Sequence, residues 1–373
     1  MTKRILHIFG TMDRGGAEMR TLELYGFLKQ KGYQFEFLSL SGSHGELDET
    51  IAQMGGTTHL VPLNFLFPII FFQLLKRHNY DCVHSHVHLF SAPILFVALL
   101  AGVRQRIAHF RSTGDGVRCV GLRKLRNALF SWTLNHVASD IIGVSKASLD
   151  LAVGSGWKLD RKCRVLYSGI SLQPYATEPD LAGVREEFGF QVDDQIVIHV
   201  GRQVPEKNHS MVLSIFKEIA QRSPKARLLL VGKTDPQING LIQHEANSLG
   251  ISDFISICGV RTDIPRLLSA SNILLFPSIR EGLPGVVLEA AAARIPIVAS
   301  RIPGIEELDA FLPQLTLHSL SETAKEWAAS VIRLMGKPIE QERQKEVFPA
   351  TFDSVITSRA FETLYAGAST QNA

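Results

Sequence analysis

The stretch IVIHVGRQVPEKNH-MVLSIFKEIA, residues 196–209 and 211–220, decides the fold. A short apolar run, IVIHVG, ends on Gly201 and gives way to a polar loop, and MVLSIFKEIAQRSP then reads as a helix. Such a run lacks the alternation of a half-buried strand, so it suits a strand covered on both faces in a parallel sheet with crossover helices. The same unit recurs downstream in RLLLVG (227–232), ISICG (255–259), ILLFPS (273–278) and PIVAS (296–300), with LIQHEANSLG, RTDIPRLLSAS and LPGVVLEAAAAR between them. It also recurs upstream in ILHIF (5–9), FEFLSL (35–40), CVHSH (82–86), RIAHF (106–110) and IIGVS (141–145), with GAEMRTLELYGFLKQKG (16–32) as a typical intervening helix. Between the two sets, YSGISLQPYATEPDLAG (167–183) is rich in Gly, Pro and Ser and reads as a linker. The pattern predicts an α/β protein of two doubly wound Rossmann-like domains, residues 1–170 and 171–351, followed by an amphipathic helix within 352–373. Ligands in such sheets lie beyond the carboxyl ends of the strands, and two facing domains would put a cleft there.

The totals agree. A chain of 373 residues suits two cores better than one, and 45% hydrophobic with 20% charged residues describes a globular protein. A formal charge of +3 is too small for a protein that coats nucleic acid, but it favours phosphorylated small molecules or an anionic membrane surface. Cys82, Cys119, Cys163 and Cys258 show no paired or zinc-type spacing and read as free thiols in a reducing compartment. The longest apolar runs, 65–72 and 89–103, are broken by Pro68, Ser91 and Pro93, so no transmembrane helix is expected and the location is cytoplasmic.

Chemistry-bearing residues gather at the predicted strand ends. In DRGGAE (13–18), Gly15 and Gly16 follow the first strand and open a helix, where backbone N–H groups can approach an anion. A plain tight turn explains them equally well. In VGRQVPEKNH (200–209), Arg202 and Lys207 set two cations at a strand end, a pairing that fits a diphosphate. In REGLPGVVLEAAAAR (280–294), Glu281 lies in the loop over a helix N-terminus, Pro284 suits the first helical turn, and Glu289 falls about a turn and a half inside. These two carboxylates could accept hydrogen bonds from sugar hydroxyls, or they could merely complement a helix dipole and solvent. The Ala- and Val-rich helix argues that Glu289 is partly buried. His84, His86 and His88 alternate and would share one strand face; buried strand ends commonly hold a His or two and no partner Asp, Glu or Cys is evident, so the metal-free reading is preferred, with His86 nearest the strand end. His109 and Arg111 share a face at the next strand end. VGKT (231–234) is not a phosphate loop, because position 227 is Arg where the pattern requires Gly, and no Asp-x-Asp clamp for a divalent cation exists.

Together, EGLPGVVLEA (281–290), the VGRxxxEKNH frame (200–209) and RGGAE (14–18) resemble the retaining GT-B glycosyltransferases, specifically glycosyltransferase family 4. The flanking CGVRTDIPRLLSASNILLFPS (258–278) and RIPGIEEL (301–308) fit too, and the likeness runs from residue 5 to about 365. Its nearest flavour is the bacterial exopolysaccharide, capsule and lipopolysaccharide type. The resemblance implies a UDP- or GDP-linked sugar donor held mostly by the C-terminal domain. Glu289 would hold the ribose and Glu281 the sugar hydroxyls, with Gly282, Leu283 and Pro284 lining the donor site. Arg202 and Lys207 would stabilise the departing diphosphate, making Arg202, Lys207 and Glu281 the catalytic set. The backbone of Gly15 and Gly16 would close from the other domain, and Arg261 would fall in the stretch bordering the base. His86, His109 and Arg111 would serve the acceptor or donor-sugar side, and the last helix would return to the N-terminal domain. No metal and no cofactor are implied, and the acceptor would be a glycan or lipid-linked glycan.

The chain departs from the family pattern in three places. Arg111 aligns where the family often has a sugar-contacting His, with His109 two residues earlier. Ser168-Gly169-Ile170-Ser171 replaces Asn-Gly-Ile-Asp, and Asn272 replaces a common Asp. A basic amphipathic segment, RCVGLRKLRNALFSWTLNHV (118–137), is open to two readings: peripheral contact with anionic lipid on the inner face of the cytoplasmic membrane, or a packed helix with a solvated basic edge. Two rivals remain at this level, another GT-B enzyme such as a nucleotide-sugar epimerase or a phosphorylase, and a non-catalytic sugar-nucleotide-binding module.

Overall fold

The computed structural model describes residues 2–114, 121–336 and 347–367, so Arg118 and Cys119 lie outside the described residues. The chain divides into two compact units: Met1–Gly169 with Thr351–Ala373, and Ile170–Ala350.

The first unit is built on seven strands: β1 (Lys3–Phe9), β2 (Tyr33–Ser39), β3 (Thr57–Leu60), β4 (Cys82–Ser85), β5 (Gln105–Phe110), β6 (Asp140–Gly143) and β7 (Cys163–Val165). They run in the order β3-β2-β1-β4-β5-β6-β7, every neighbouring pair parallel. Alternation along β1 explains the two cores. Leu6 and Ile8 face the helices Phe67–His78, Ser91–Leu100 and Leu122–Val137, whereas Ile5 and Phe9 face the helices Gly16–Lys29 and Ser354–Ala366. Each fully buried Phe or Leu in these layers contributes roughly 1.5–3 kcal/mol. The last helix is tied to the sheet edge by polar bonds as well. Lys3 Nζ donates to Tyr365 O (2.9 Å), Gln105 Nε2 donates to Leu364 O (2.7 Å), and the Tyr365 hydroxyl meets His84 Nδ1 at 2.7 Å.

The second unit has six strands: β8 (Gln195–Val200), β9 (Ala226–Val231), β10 (Ile255–Gly259), β11 (Ile273–Phe276), β12 (Ile297–Ser300) and β13 (Leu315–His318). Their order is β10-β9-β8-β11-β12-β13, again parallel throughout. Asn272 has a structural task here. Its side-chain Oδ1 accepts from Ile196 N and its own N–H donates to Ile196 O, both at 2.8 Å, which clips β11 to the start of β8.

All ten strands expected from apolar runs are present. Three more, β3, β7 and β13, are absent from that expectation, and each is an outermost strand with a partly exposed pattern such as Thr57–Leu60. The order of strands reverses between β1 and β4 in one sheet and between β8 and β11 in the other, and sites in open parallel sheets form at such points.

Candidate functional site

In the second unit the predicted donor-side residues meet at the carboxyl ends of β8 and β11. β8 ends in Gly201, and a Cβ there would meet Lys207 Cδ at 2.9 Å, so only glycine lets the Lys207 stem lie along the strand end. The chain then makes one 3-10 turn, Pro205–Lys207, and Asn208 adopts a left-handed conformation (φ 55°) before the helix His209–Ala220. This loop is fastened to the loop after β11. Ile279 N donates to Glu206 O (2.8 Å), Asn208 Nδ2 donates to Pro277 O (3.1 Å), and Arg280 pairs with Glu206. Within that clasp Lys207 Nζ sits 2.6 Å from Glu281 Oε1 and 4.7 Å from the centre of the Phe276 ring.

The helix that follows runs Gly285–Ala292, with Pro284 extended at its N-cap rather than inside the first turn as expected. No side chain caps it, and among the described residues the N–H groups of Gly285 and Val286 meet no acceptor. Orphan donors at a helix N-terminus suit an anion. Glu289 lies just past the first turn and is partly buried. Arg202 is exposed, and its guanidinium has no ion pair among the described residues. The second glutamate loop is also fixed from below: a Cβ on Gly304 would overlap the carbonyl oxygens of Glu281 and Gly282. Arg261 is differently placed from the others. Its guanidinium is held by Glu187 and Asp263, so only its backbone, past the end of β10, is available to border a base.

In the first unit, Gly15 is the N-cap of the Gly16–Lys29 helix, without a side-chain cap. A Cβ on Gly16 would meet nothing within 4 Å, so the protein itself leaves that position open. Arg111 lies beyond β5, where its Nε donates to His86 Nδ1 (3.1 Å) and one terminal nitrogen donates to Thr21 Oγ1 (3.1 Å). His86 is 8% exposed and its other nitrogen meets His7 Nδ1 at 3.0 Å, so both ring nitrogens are engaged within the protein. His109 is buried and bonded to His84 (3.0 Å). Of the three alternating histidines only His84 and His86 share a face. The chain leaves the strand after Ser85, His88 takes a left-handed conformation (φ 55°), and its ring turns to Ser112 and Phe110. His7 is a member of this cluster that no motif announces; its register place opposite His84 puts it there.

Burial, with repulsion from Arg111 and neighbouring rings, holds His7, His84, His86 and His109 well below the usual histidine range, so all four are neutral at pH 7. Arg111 is itself pushed down to about 10 by burial, opposed by Glu18, and stays charged. Nitrogens of His7, His84 and His86 lie within 4.8 Å of one another, as a metal site would require, but the Arg111 cation bonded to His86 opposes a second cation there. A second cluster, Glu36, His59 and His78, is already neutralised by Arg4.

Residues 14–174 match a family model described as Glycosyltransferase Family 4, and residues 194–337 match one described as Glycosyl transferases group 1. The chain is a family 4-type glycosyltransferase. It is 28% identical over 337 residues to the capsular polysaccharide biosynthesis glycosyltransferase CapH of Staphylococcus aureus, covering 90% of this chain and 91% of the relative. It is also 28% identical to the putative glycosyltransferase EpsF of Bacillus subtilis, covering 89% and 87%. In fold it is similar to Anabaena HepE in complex with UDP and glucose (TM-score 0.80, 19% identity, 98% of this chain and 100% of that one). It is likewise similar to WaaG, a glycosyltransferase involved in lipopolysaccharide biosynthesis (TM-score 0.76, 14% identity, 98% and 100%). The fold is GT-B.

Proposed function

We propose that this glycosyltransferase moves a sugar, with retention, from a UDP- or GDP-linked donor to a glycan or lipid-linked glycan in cell-surface polysaccharide synthesis. The observation that carries the reading is the Lys207–Glu281 pair, fastened between the ends of β8 and β11 beside an uncapped helix N-terminus and an exposed Arg202. The diphosphate lies against Arg202, Lys207 and the N–H groups of Gly285 and Val286, and negative charge developing on it is stabilised without reorganisation. Glu281 receives the sugar hydroxyls as Lys207 turns to the phosphate, and Glu289 receives the ribose. The bond from the anomeric carbon to the phosphate oxygen breaks, the acceptor oxygen bonds that carbon from the same face, and the acceptor proton passes to the leaving phosphate. Arg202 and Lys207 supply the charge that a divalent cation supplies elsewhere, so the reaction proceeds without metal.

The cell-surface acceptor is supported by the names of relatives. One is the Escherichia coli UDP-Gal:alpha-D-GlcNAc-diphosphoundecaprenol alpha-1,3-galactosyltransferase, 26% identical over 264 residues, 66% of this chain and 66% of the relative. A lipid-linked acceptor is further supported by one helical layer of the first unit. Helices Phe67–His78, Ser91–Leu100 and Leu122–Val137 pack in a row and leave Phe65, Ile69, Leu100, Leu122, Leu125 and Trp132 exposed among Lys76, Arg77, Lys124 and Arg126. A large apolar patch with a basic margin suits anionic lipid. Among the described residues no helix is long and apolar enough to cross a membrane, so the contact is peripheral.

The test is release of nucleotide from a panel of UDP- and GDP-sugars, first screened by thermal shift, with lipid-linked glycans as acceptors. Acceptor-dependent release with the anomeric configuration kept is expected. A donor that raises the melting temperature yet is never cleaved identifies a silent binding module and overturns the reading.

A further inference from the structure

The hydrogen-bond chain behind Arg111 has only one direction. A guanidinium donates and never accepts, so His86 Nδ1, 3.1 Å from Arg111 Nε, must present its lone pair. Neutral His86 therefore carries its proton on Nε2 and donates it to His7 Nδ1, 3.0 Å away. His7 in turn carries its proton on Nε2, a buried nitrogen with no partner among the described residues. Reversing the chain would strip both nitrogens of His86, and protonating His86 would set an N–H against the guanidinium. The His86 ring cannot tilt away, because it stacks on Phe9 (centroids 4.2 Å apart, 9° between planes) and on His84 (4.3 Å, 26°). Its backbone N–H is held by Ile8 O at 3.0 Å. Thr21 gives its hydroxyl proton to Ala17 O (2.8 Å) and so is likewise an acceptor for Arg111. Two of the three guanidinium nitrogens are thus fixed, and Nη1 makes no hydrogen bond among the described residues.

We infer that His86 is a positioning residue: its lone pair, held open by the one-way bond to His7, aims the Nη1 of Arg111 at a substrate oxygen beyond the carboxyl end of β5. Burial and the facing Arg111 hold His86 well below the usual histidine range, which keeps that lone pair open at pH 7. The unsatisfied Nε2–H of His7 is the cost of this arrangement, since a chain ordered only for stability would end on an acceptor. The inference rests on the transferase reading for what Arg111 touches, and on geometry alone for the tautomers.

The test has two arms. In the first, two-bond ¹H–¹⁵N spectra of the uniformly labelled full chain, with His86 assigned through H86N, report the ring protons directly. His86 and His7 are both expected in the Nε2–H form and flat from pH 6 to 8; a His86 proton on Nδ1, or a midpoint near the ordinary histidine value, overturns the inference. In the second arm, H86F keeps the ring volume and deletes the acceptor, and H86N places Oδ1 near the position of Nδ1. A hydrogen bond to a charged group governs about ten- to hundredfold in kcat/KM, so H86F and R111A should each lose that much. The double variant should lose no more than R111A, and H86N should recover most of the H86F loss. Additive losses, or equal losses in H86F and H86N, refute the positioning role. A wild-type protein that moves no sugar refutes the transferase reading instead, and the ring spectra then decide the tautomer chain by themselves.

Discussion

Lys207→Ala removes an ammonium lying 2.6 Å from Glu281 and 4.7 Å from the Phe276 ring centre. The Lys207 and Glu281 side chains are 19% and 14% exposed, so the variant takes this cation from a poorly solvated carboxylate. Breaking a fully buried pair costs about 3–5 kcal/mol, and the residual exposure brings the expected loss to about 2–3 kcal/mol. For a unit the size of Ile170–Ala350 that is a fall in melting temperature of roughly 4–12 °C. Turnover should fall separately. A preorganised group aimed at developing charge is worth about 10²–10³ in kcat, or about 2.7–4 kcal/mol. The double variant Lys207→Ala/Glu281→Ala distinguishes the two losses. With the carboxylate gone, melting temperature should recover by several degrees while turnover stays lost. Differential scanning fluorimetry and donor-cleavage kinetics on the three variants read both quantities. Turnover within about threefold of wild type in Lys207→Ala would refute the catalytic assignment, as would a double variant that regains turnover together with stability.

Gly304→Ala should displace the Glu281–Gly282 carbonyls and lower donor kcat/KM at least about tenfold, with a stability loss of about 1–3 kcal/mol by denaturant titration; unchanged kinetics would show that the loop is not braced there. Burial alone would raise the Glu36 carboxyl, but hydrogen bonds from His59, Arg4 and Tyr80 outweigh it and hold it at about 2. That depressed value stabilises the fold above the ordinary carboxylate range and is lost as pH falls toward 2, so wild type should lose stability between pH 5 and 3 more steeply than Glu36→Gln; equal slopes would refute it. Flotation with anionic vesicles should carry the wild-type protein upward in low salt and leave Leu125→Glu/Trp132→Glu behind, and a wild type that fails to float removes the lipid-facing role of that surface.

Central strands were legible because burial on both faces leaves an unbroken apolar run, as in IVIHV and ILLF. Three edge strands carry no such run: Thr57–Leu60, Cys163–Val165 and Leu315–His318 are only partly buried, and each is defined by the preceding strand it pairs with. The donor-side residues were legible as a set because Arg202, Lys207, Glu281 and Glu289 stand at fixed places around strand ends. Their mutual bonds were not, since the Lys207–Glu281 contact spans three crossovers and is decided by sheet order. His88 illustrates the limit of periodicity, which assumes a strand that here stops at Ser85. His7 and Gly304 act through register and close backbone approach, and neither leaves a local signature.

The Ser354–Ala366 helix has a consequence for how the chain is made. Phe361, Leu364 and Tyr365 cover the sheet face holding Phe35, Ile107 and Ile142, yet they emerge from the ribosome only after the whole second unit. During synthesis that face therefore waits only partly covered, by the Gly16–Lys29 helix, while Ile170–Ala350, an unbroken segment, already has every residue it needs. Vectorial synthesis ordinarily favours the N-terminal domain. Here the second unit to be translated is the first that can finish folding, and the first is completed last.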